Sequence, residues 1–140
     1  MSKEEIREYL IAKGENLFKM PRQKRVDFTG EAGADALLSD LKYTPHAFVI
    51  GCVMDRQIKA ERAWLIPWYL AEKLGTFEFL ELRKLDLDTI HEMMKHLHRF
   101  PEEMSVNLLS ALELIDTRYK GKASRIWEGQ PSSARVVYRF

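Results

Sequence analysis

The chain has 140 residues, the size of one ordinary domain, and its 46% hydrophobic content with three Trp is enough for a substantial core. Charged residues make up 31% and nearly cancel to a formal +1, so an anionic partner has to be met by a local patch rather than by the field of the whole chain. The single cysteine, Cys52, excludes an internal disulfide and a cysteine-held zinc finger or iron–sulfur cluster.

The opening Ser2-Lys3-Glu4-Glu5 is polar, unlike a signal peptide, and no apolar run is long enough to span a bilayer. The expectation is a soluble cytoplasmic protein with no membrane partner. Ser2 followed by Glu5 has the form of a capping box. Ile6, Tyr9, Leu10, Ala12 and Leu17 then mark a stripe on a first helix of about four turns. Residues 21–30 break that pattern with the basic, proline-led Pro21-Arg22-Gln23-Lys24-Arg25. A short second helix is expected from Glu31 to Leu41, with Ala34, Leu37, Leu38 and Leu41 inward.

Thr44-Pro45 reads as N-cap and first helical position. The run Ala47 to Met54 is apolar all round, and the start signal assigns it to a buried helix rather than a strand. Asp55-Arg56-Gln57 interrupts the apolar pattern, and a longer helix from Ile58 to Leu74 ends at Gly75 and kinks before Pro67. Thr76 caps a short helix holding Phe77, Phe79, Leu80 and Leu82. Asp88 caps another, with Ile90, Met93, Met94 and Leu97 on one stripe. Pro101-Glu102-Glu103 opens the most regular helix, buried through Met104, Leu108, Ala111, Leu112, Ile115 and Tyr119 and ended by Gly121. Gly129-Gln130-Pro131 precedes a last short helix capped by Ser132 or Ser133. These elements predict a compact all-α array of about seven or eight helices in one domain over residues 1–140, with 122–140 expected as a C-terminal segment that is cut short.

Few constellations suggest chemistry. His91, His96 and His98 are five and two residues apart, not the four that share a helix face, so surface or partly packed histidines are expected and no metal is assigned. Cys52 reads as a small buried hydrophobe, Glu102 and Glu103 as helix-start charge, and Asp86 and Asp88 as caps or flanks. There is no glycine-rich phosphate loop. The cations Arg22, Lys24, Arg25, Arg118, Lys120, Lys122, Arg125, Arg135 and Arg139 recur in loops and near the end. Solvation and helix-dipole compensation account for them, while Arg22, Lys24, Arg25, Lys122 and Arg125 are also candidate phosphate contacts. In the polar corner, Asp55 is expected to cap by accepting backbone N–H groups; alternatively, the corner presents Gln57 as a probe with both a donor and an acceptor.

The stretch Thr44-Pro45-His46-Ala47-Phe48-Val49-Ile50, followed by Met54-Asp55-Arg56-Gln57-Ile58-Lys59-Ala60, resembles the helix–loop–helix near the start of the endonuclease III-like DNA glycosylases. These are base-excision enzymes of the helix-hairpin-helix superfamily. The similarity is closest to an offshoot with a comparable stretch, here Asp55 to Trp64, and the helices expected from Phe77 through Tyr119 look like the family's helical barrel.

The resemblance implies that Gln57 enters a DNA duplex beside an extruded nucleotide, with Arg56 as its neighbour, offsetting part of an unstacking cost of a few kcal/mol. The family's hairpin, its catalytic Asp or Lys and its cluster cysteines have no counterpart up to Phe140. What it implies is therefore a glycosylase-like domain related to DNA repair that binds double-stranded DNA. No catalytic residue and no cofactor are assigned, and DNA N-glycosylase activity would need further residues or a second polypeptide. The alternative is a helical interaction module or homodimer without a nucleic-acid role, docking through Val136, Val137, Tyr138 and Phe140, with Asp55 and Gln57 structural.

Overall fold

In the computed structural model, which describes residues 1–21, 27–129 and 132–140, eight α-helices and one short 3-10 helix carry the regular structure. No strand occurs among the described residues, so the expected all-α class is the observed one.

Helix α1 spans Lys3–Lys19 and begins as its sequence dictates. The Ser2 hydroxyl accepts the Glu5 N–H at 3.2 Å, and the Glu5 carboxylate accepts the Ser2 N–H at 2.6 Å. Hydrogen bonding from Ser2 to the carboxylate, first from its backbone N–H and then from its side chain, holds the Glu5 carboxyl below its ordinary pKa. The expected inner stripe is not inner, however. No residue of α1 is buried; Leu10 is 61% exposed and Phe18 89%. The helix rests on its cap and on good helix formers, with no neighbouring face to receive Ile6, Tyr9, Leu10, Ala12 and Leu17.

Helix α2, Ala32–Ser39, buries Ala34 and Leu38, while Leu37 is half-buried and Leu41, past the helix end, is exposed. Its buried Asp35 receives N–H bonds from Phe28, Thr29 and Gly30 and a hydroxyl bond from Thr29, at 2.8 to 3.1 Å. Burial pushes this carboxyl up, and the donors from Thr29, Gly30 and Phe28 outweigh it, leaving the pKa lowered. A single side chain thus fixes the turn that leads into α2.

Helix α3, Pro45–Met54, is the apolar run, and it is a helix. Thr44 occupies the N-cap position without a side-chain cap bond, because its hydroxyl donates back to the Leu37 and Asp40 carbonyls at 2.9 and 3.2 Å. Helix α4, Ala60–Leu74, starts two residues later than Ile58, runs on through the buried Pro67 and ends on a left-handed Gly75. A Cβ at Gly51 would overlap the Cε3 and Cζ3 atoms of Trp64, so the indole of α4 lies directly on the backbone of α3.

Helices α5, Phe79–Arg83, and α6, Leu87–Met94, follow. The α6 cap is Asp86, not Asp88: its carboxylate accepts the Thr89 N–H at 2.7 Å, and hydrogen bonding from the Thr89 side chain, then from that N–H, lowers its pKa. Helix α7, Pro101–Tyr119, ends on a left-handed Lys120, and the 3-10 helix Ala123–Ile126 leads towards α8, Ser133–Arg139, capped by Ser132. One contiguous core joins Leu38, Ile50, Met54, Ile66, Leu70 and Leu82 to Ile90, Met94, Leu108 and Leu112. Helix α3 sits inside it, with α2, α4 and α7 packed around it. Among the described residues no helix is long and apolar enough to cross a membrane.

Candidate nucleic-acid interface

The polar corner between α3 and α4 has a defined backbone. Asp55, at φ −77° and ψ 70°, is the centre of an inverse γ-turn closed by the Arg56 N–H on the Met54 carbonyl at 2.8 Å. Gln57 follows at φ 56°, a left-handed conformation that costs an ordinary residue about 1–2 kcal/mol. Ile58 is half-buried against the core and anchors the loop, while Asp55, Arg56, Gln57 and Lys59 are exposed. The expected Asp55 cap is not made. Its carboxylate accepts the Trp64 indole N–H at 3.3 Å, because the end of α3 presents carbonyls rather than free amides.

The opposite wall comes from the α6–α7 connection. His98 is 3% exposed, and its ring is fully used: Nε2–H donates to the Met54 carbonyl at 3.0 Å, and Nδ1 accepts the Phe100 N–H at 2.9 Å. These bonds require the neutral Nε2–H tautomer. The sequence reading placed His98 at the surface or partly packed; it is buried because it satisfies a carbonyl at the end of a buried helix. His96 is exposed and His91 half-buried, and no group of three or more metal-binding side chains occurs among the described residues.

Between these walls lies an open recess of about 690 Å³ lined by Gln57, Ile58, Lys59, Arg62 and Arg99. Three of the five lining residues are cationic and none is acidic. The ion pairs among the described residues, Arg83–Asp116, Lys84–Glu81 and Lys95–Glu92, lie elsewhere. Helix α4 also begins here without a side-chain cap: the Arg62 and Ala63 amides turn back to the Lys59 carbonyl, and those of Ala60 and Glu61 form the free end. Cations without a carboxylate partner among the described residues, beside a free helix N-terminus, favour an anion, and a phosphate fits both charge and donors.

The chain matches no protein-family model, no curated protein and no solved structure.

Gln57 and Arg56 stand exposed in the loop, Gln57 on the recess. Lys122 and Arg125 do not join them. Lys122 opens the 3-10 helix and lines a separate groove of about 710 Å³ with Lys42, Glu72, His46 and Phe77, and Arg125 is exposed on that same short helix. Arg22, Lys24 and Arg25 lie outside the described residues. Sequence reasoning missed Lys59, Arg62 and Arg99 as site residues. Lys59 and Arg62 were legible, following Gln57 within one turn of the α4 start. Arg99 was not, since the bond that brings its loop to α3 joins residues 44 apart.

Two further titratable groups, His46 and Cys52, stand apart from the recess. His46 donates Nε2–H to the Phe77 carbonyl at 2.6 Å and stacks on the Phe77 ring; burial lowers its pKa and that carbonyl offsets only part of the shift. Cys52 is half-buried rather than buried, and burial followed by the Asp55 charge pushes its thiol up, which disfavours the nucleophilic thiolate.

Proposed function

We propose that this chain is a DNA-glycosylase-like helical domain related to base-excision repair, and that it contacts duplex DNA through Gln57, Lys59, Arg62 and Arg99. The observation that carries the reading is a polar side chain held in a costly backbone conformation on the lining of a recess whose three cations have no carboxylate partner among the described residues. Lys59, Arg62 and Arg99 neutralise phosphates and set the register. Gln57, with a donor and an acceptor, meets base edges or the gap beside an extruded nucleotide. Arg56 adds a cation one residue away. No carboxylate lines the recess and no residue of it is assigned to base excision, so on this reading the chain binds and positions DNA without releasing a base by itself.

Anisotropy of a labelled duplex, read across a salt series, tests this. Three phosphate contacts give a slope of log K against log salt of roughly −3, and Arg62→Ala reduces its magnitude by about 1. Gln57→Ala weakens binding to a duplex with an abasic site and leaves the slope unchanged. Binding indifferent to salt, or unaffected by either variant, would sink the reading, as would robust base release by the purified chain.

One observation favours the second reading, an interaction module. Helix α1 leaves Ile6, Tyr9, Leu10 and Leu17 exposed at spacings close to a heptad seam, with Lys13 among them and Met20 exposed just past the helix end. In the C-terminal segment Val136 packs on the core, while Val137, Tyr138 and the half-exposed Phe140, whose ring stacks on Trp127, face outward. A second copy pairing through α1 is the form this reading takes. Sedimentation of the chain and of Leu10→Asp decides it, since a dimer that persists in the variant does not use α1.

A further inference from the structure

Nothing in the sequence near Gln57 explains why Arg99 should stand beside it; the bonds of His98 do. The Met54 carbonyl, at the last turn of α3, is exposed to two donors from different parts of the chain: the Arg56 N–H, which closes the turn before Gln57, and His98 Nε2–H. On the other side of the ring, Nδ1 takes the N–H of Phe100, the residue after Arg99. The imidazole therefore spans the two loops, one bond to each, with Arg99 between its own anchor at His98 and the anchored Phe100 amide. Arg99 is held from its far side as well, its guanidinium lying 5.4 Å from the centre of the Phe100 ring.

From this geometry we infer that His98 is the positioning residue of the recess: it locks the loop after α6 onto the end of α3 and so sets Arg99 opposite Lys59 and Arg62. This rests on the DNA-contacting reading of the recess and adds a residue to it that touches no nucleic acid. His98 is too buried to meet a ligand, so its effect has to pass through Arg99 and the Arg56–Gln57 turn. A histidine suits the task because one ring offers a donor and an acceptor on opposite edges, at the reach two loops require. Glutamine can place a donor on the Met54 carbonyl, but its acceptor sits at the same end of the side chain rather than back at Phe100, and phenylalanine keeps the ring and loses both.

The experiment is a double-mutant cycle on duplex binding with amide hydrogen exchange on the same proteins. Each variant is first checked for the wild-type helical signal. His98→Phe is expected to lower duplex affinity by about tenfold, and His98→Gln to recover part of that loss. Arg99→Ala is expected to weaken wild-type binding and to have little further effect in the His98→Phe background, because the two residues act as one element. A general loss of stability produces no such coupling. Exchange at the Arg56 and Phe100 amides is expected to rise roughly tenfold or more in His98→Phe.

Additive losses from His98→Phe and Arg99→Ala overturn the inference while Lys59→Ala and Arg62→Ala still support the DNA reading. If the wild-type chain fails to bind duplex DNA, the DNA reading fails alone, and exchange decides the rest. Faster exchange at Arg56 and Phe100 then upholds the latch, and unchanged exchange overturns it.

Discussion

Helices α1 and α3 are both rich in apolar residues, yet one buries nothing and the other is almost entirely enclosed. In α1 the helix is specified locally, by a capping box and a run of good formers, and it needs no neighbour to explain its existence. In α3 the local specification is weak, since Val49, Ile50 and Val53 are β-branched, and the surrounding helices supply what propensity does not. The difference teaches that a hydrophobic stripe says how a helix would bury itself, not whether anything receives it. It also separates two kinds of glycine, two kinds of polar side chain and two responses to mutation.

The largest effect is expected where tertiary structure does the specifying. Gly51→Val drives two methyl groups into the Trp64 indole, and denaturant unfolding should show a loss of about 3 kcal/mol or more. A loss below about 0.5 kcal/mol would mean that α3 and α4 are not in the contact described.

Asp35→Asn comes next. It replaces a carboxylate that only accepts with an amide that must turn one donor towards the N–H groups of Phe28, Thr29 and Gly30, at a cost of about 2–3 kcal/mol. The pH dependence has a definite sign. Because the folded pKa of Asp35 is lowered, its stabilisation is present above the ordinary value of 3.8 and is lost as pH falls through the folded pKa. His46, also lowered, acts earlier: below its ordinary 6.5 the unfolded chain binds a proton that the folded chain refuses, so stability falls as pH drops past that point. A pH series of melting temperatures should show one descent below the ordinary histidine value and a second in the acid range, where Glu5 and Asp86 add to Asp35, and His46→Gln should remove the upper one alone.

Gln57→Gly sharpens the contrast between fold and site. Glycine adopts the left-handed conformation freely, so stability should rise by up to about 1 kcal/mol while duplex affinity falls. A variant that gains stability and keeps full affinity removes Gln57 from the interface. The smallest effect belongs to α1: Gly14→Ala, with nothing within 4 Å of the new methyl, should strengthen that helix by about 1 kcal/mol without moving the main unfolding transition. If the main transition does shift, α1 is coupled to the core after all.

Much of the local structure was legible because its causes are local. The Ser2–Glu5 box, Pro45 and Pro101 at helix starts, Gly75 at a helix end and the Ser132 cap each follow from residues within one turn of one another. The choice between Asp86 and Asp88 as the α6 cap failed by two residues, because both offer the same carboxylate at the same helix start. Of the site, Gln57, Arg56 and their place between two buried helices were visible as a polar corner; the partner of Asp55 was not, because Trp64 reaches it only once α4 has crossed α3.

The sequence by itself determined an all-α fold, the order and most of the ends of its helices, the membership of the core on α3, α6 and α7, and the loop that carries Gln57. Tertiary structure alone decided that α1 stays outside, that Asp35, His46 and His98 are buried and satisfied, and that Arg99 joins Lys59 and Arg62. The physical reason is the range of the forces involved. Capping and propensity act over a few residues and are written in their order, whereas burial and the pairing of a buried carbonyl with a distant ring depend on which surfaces finally meet.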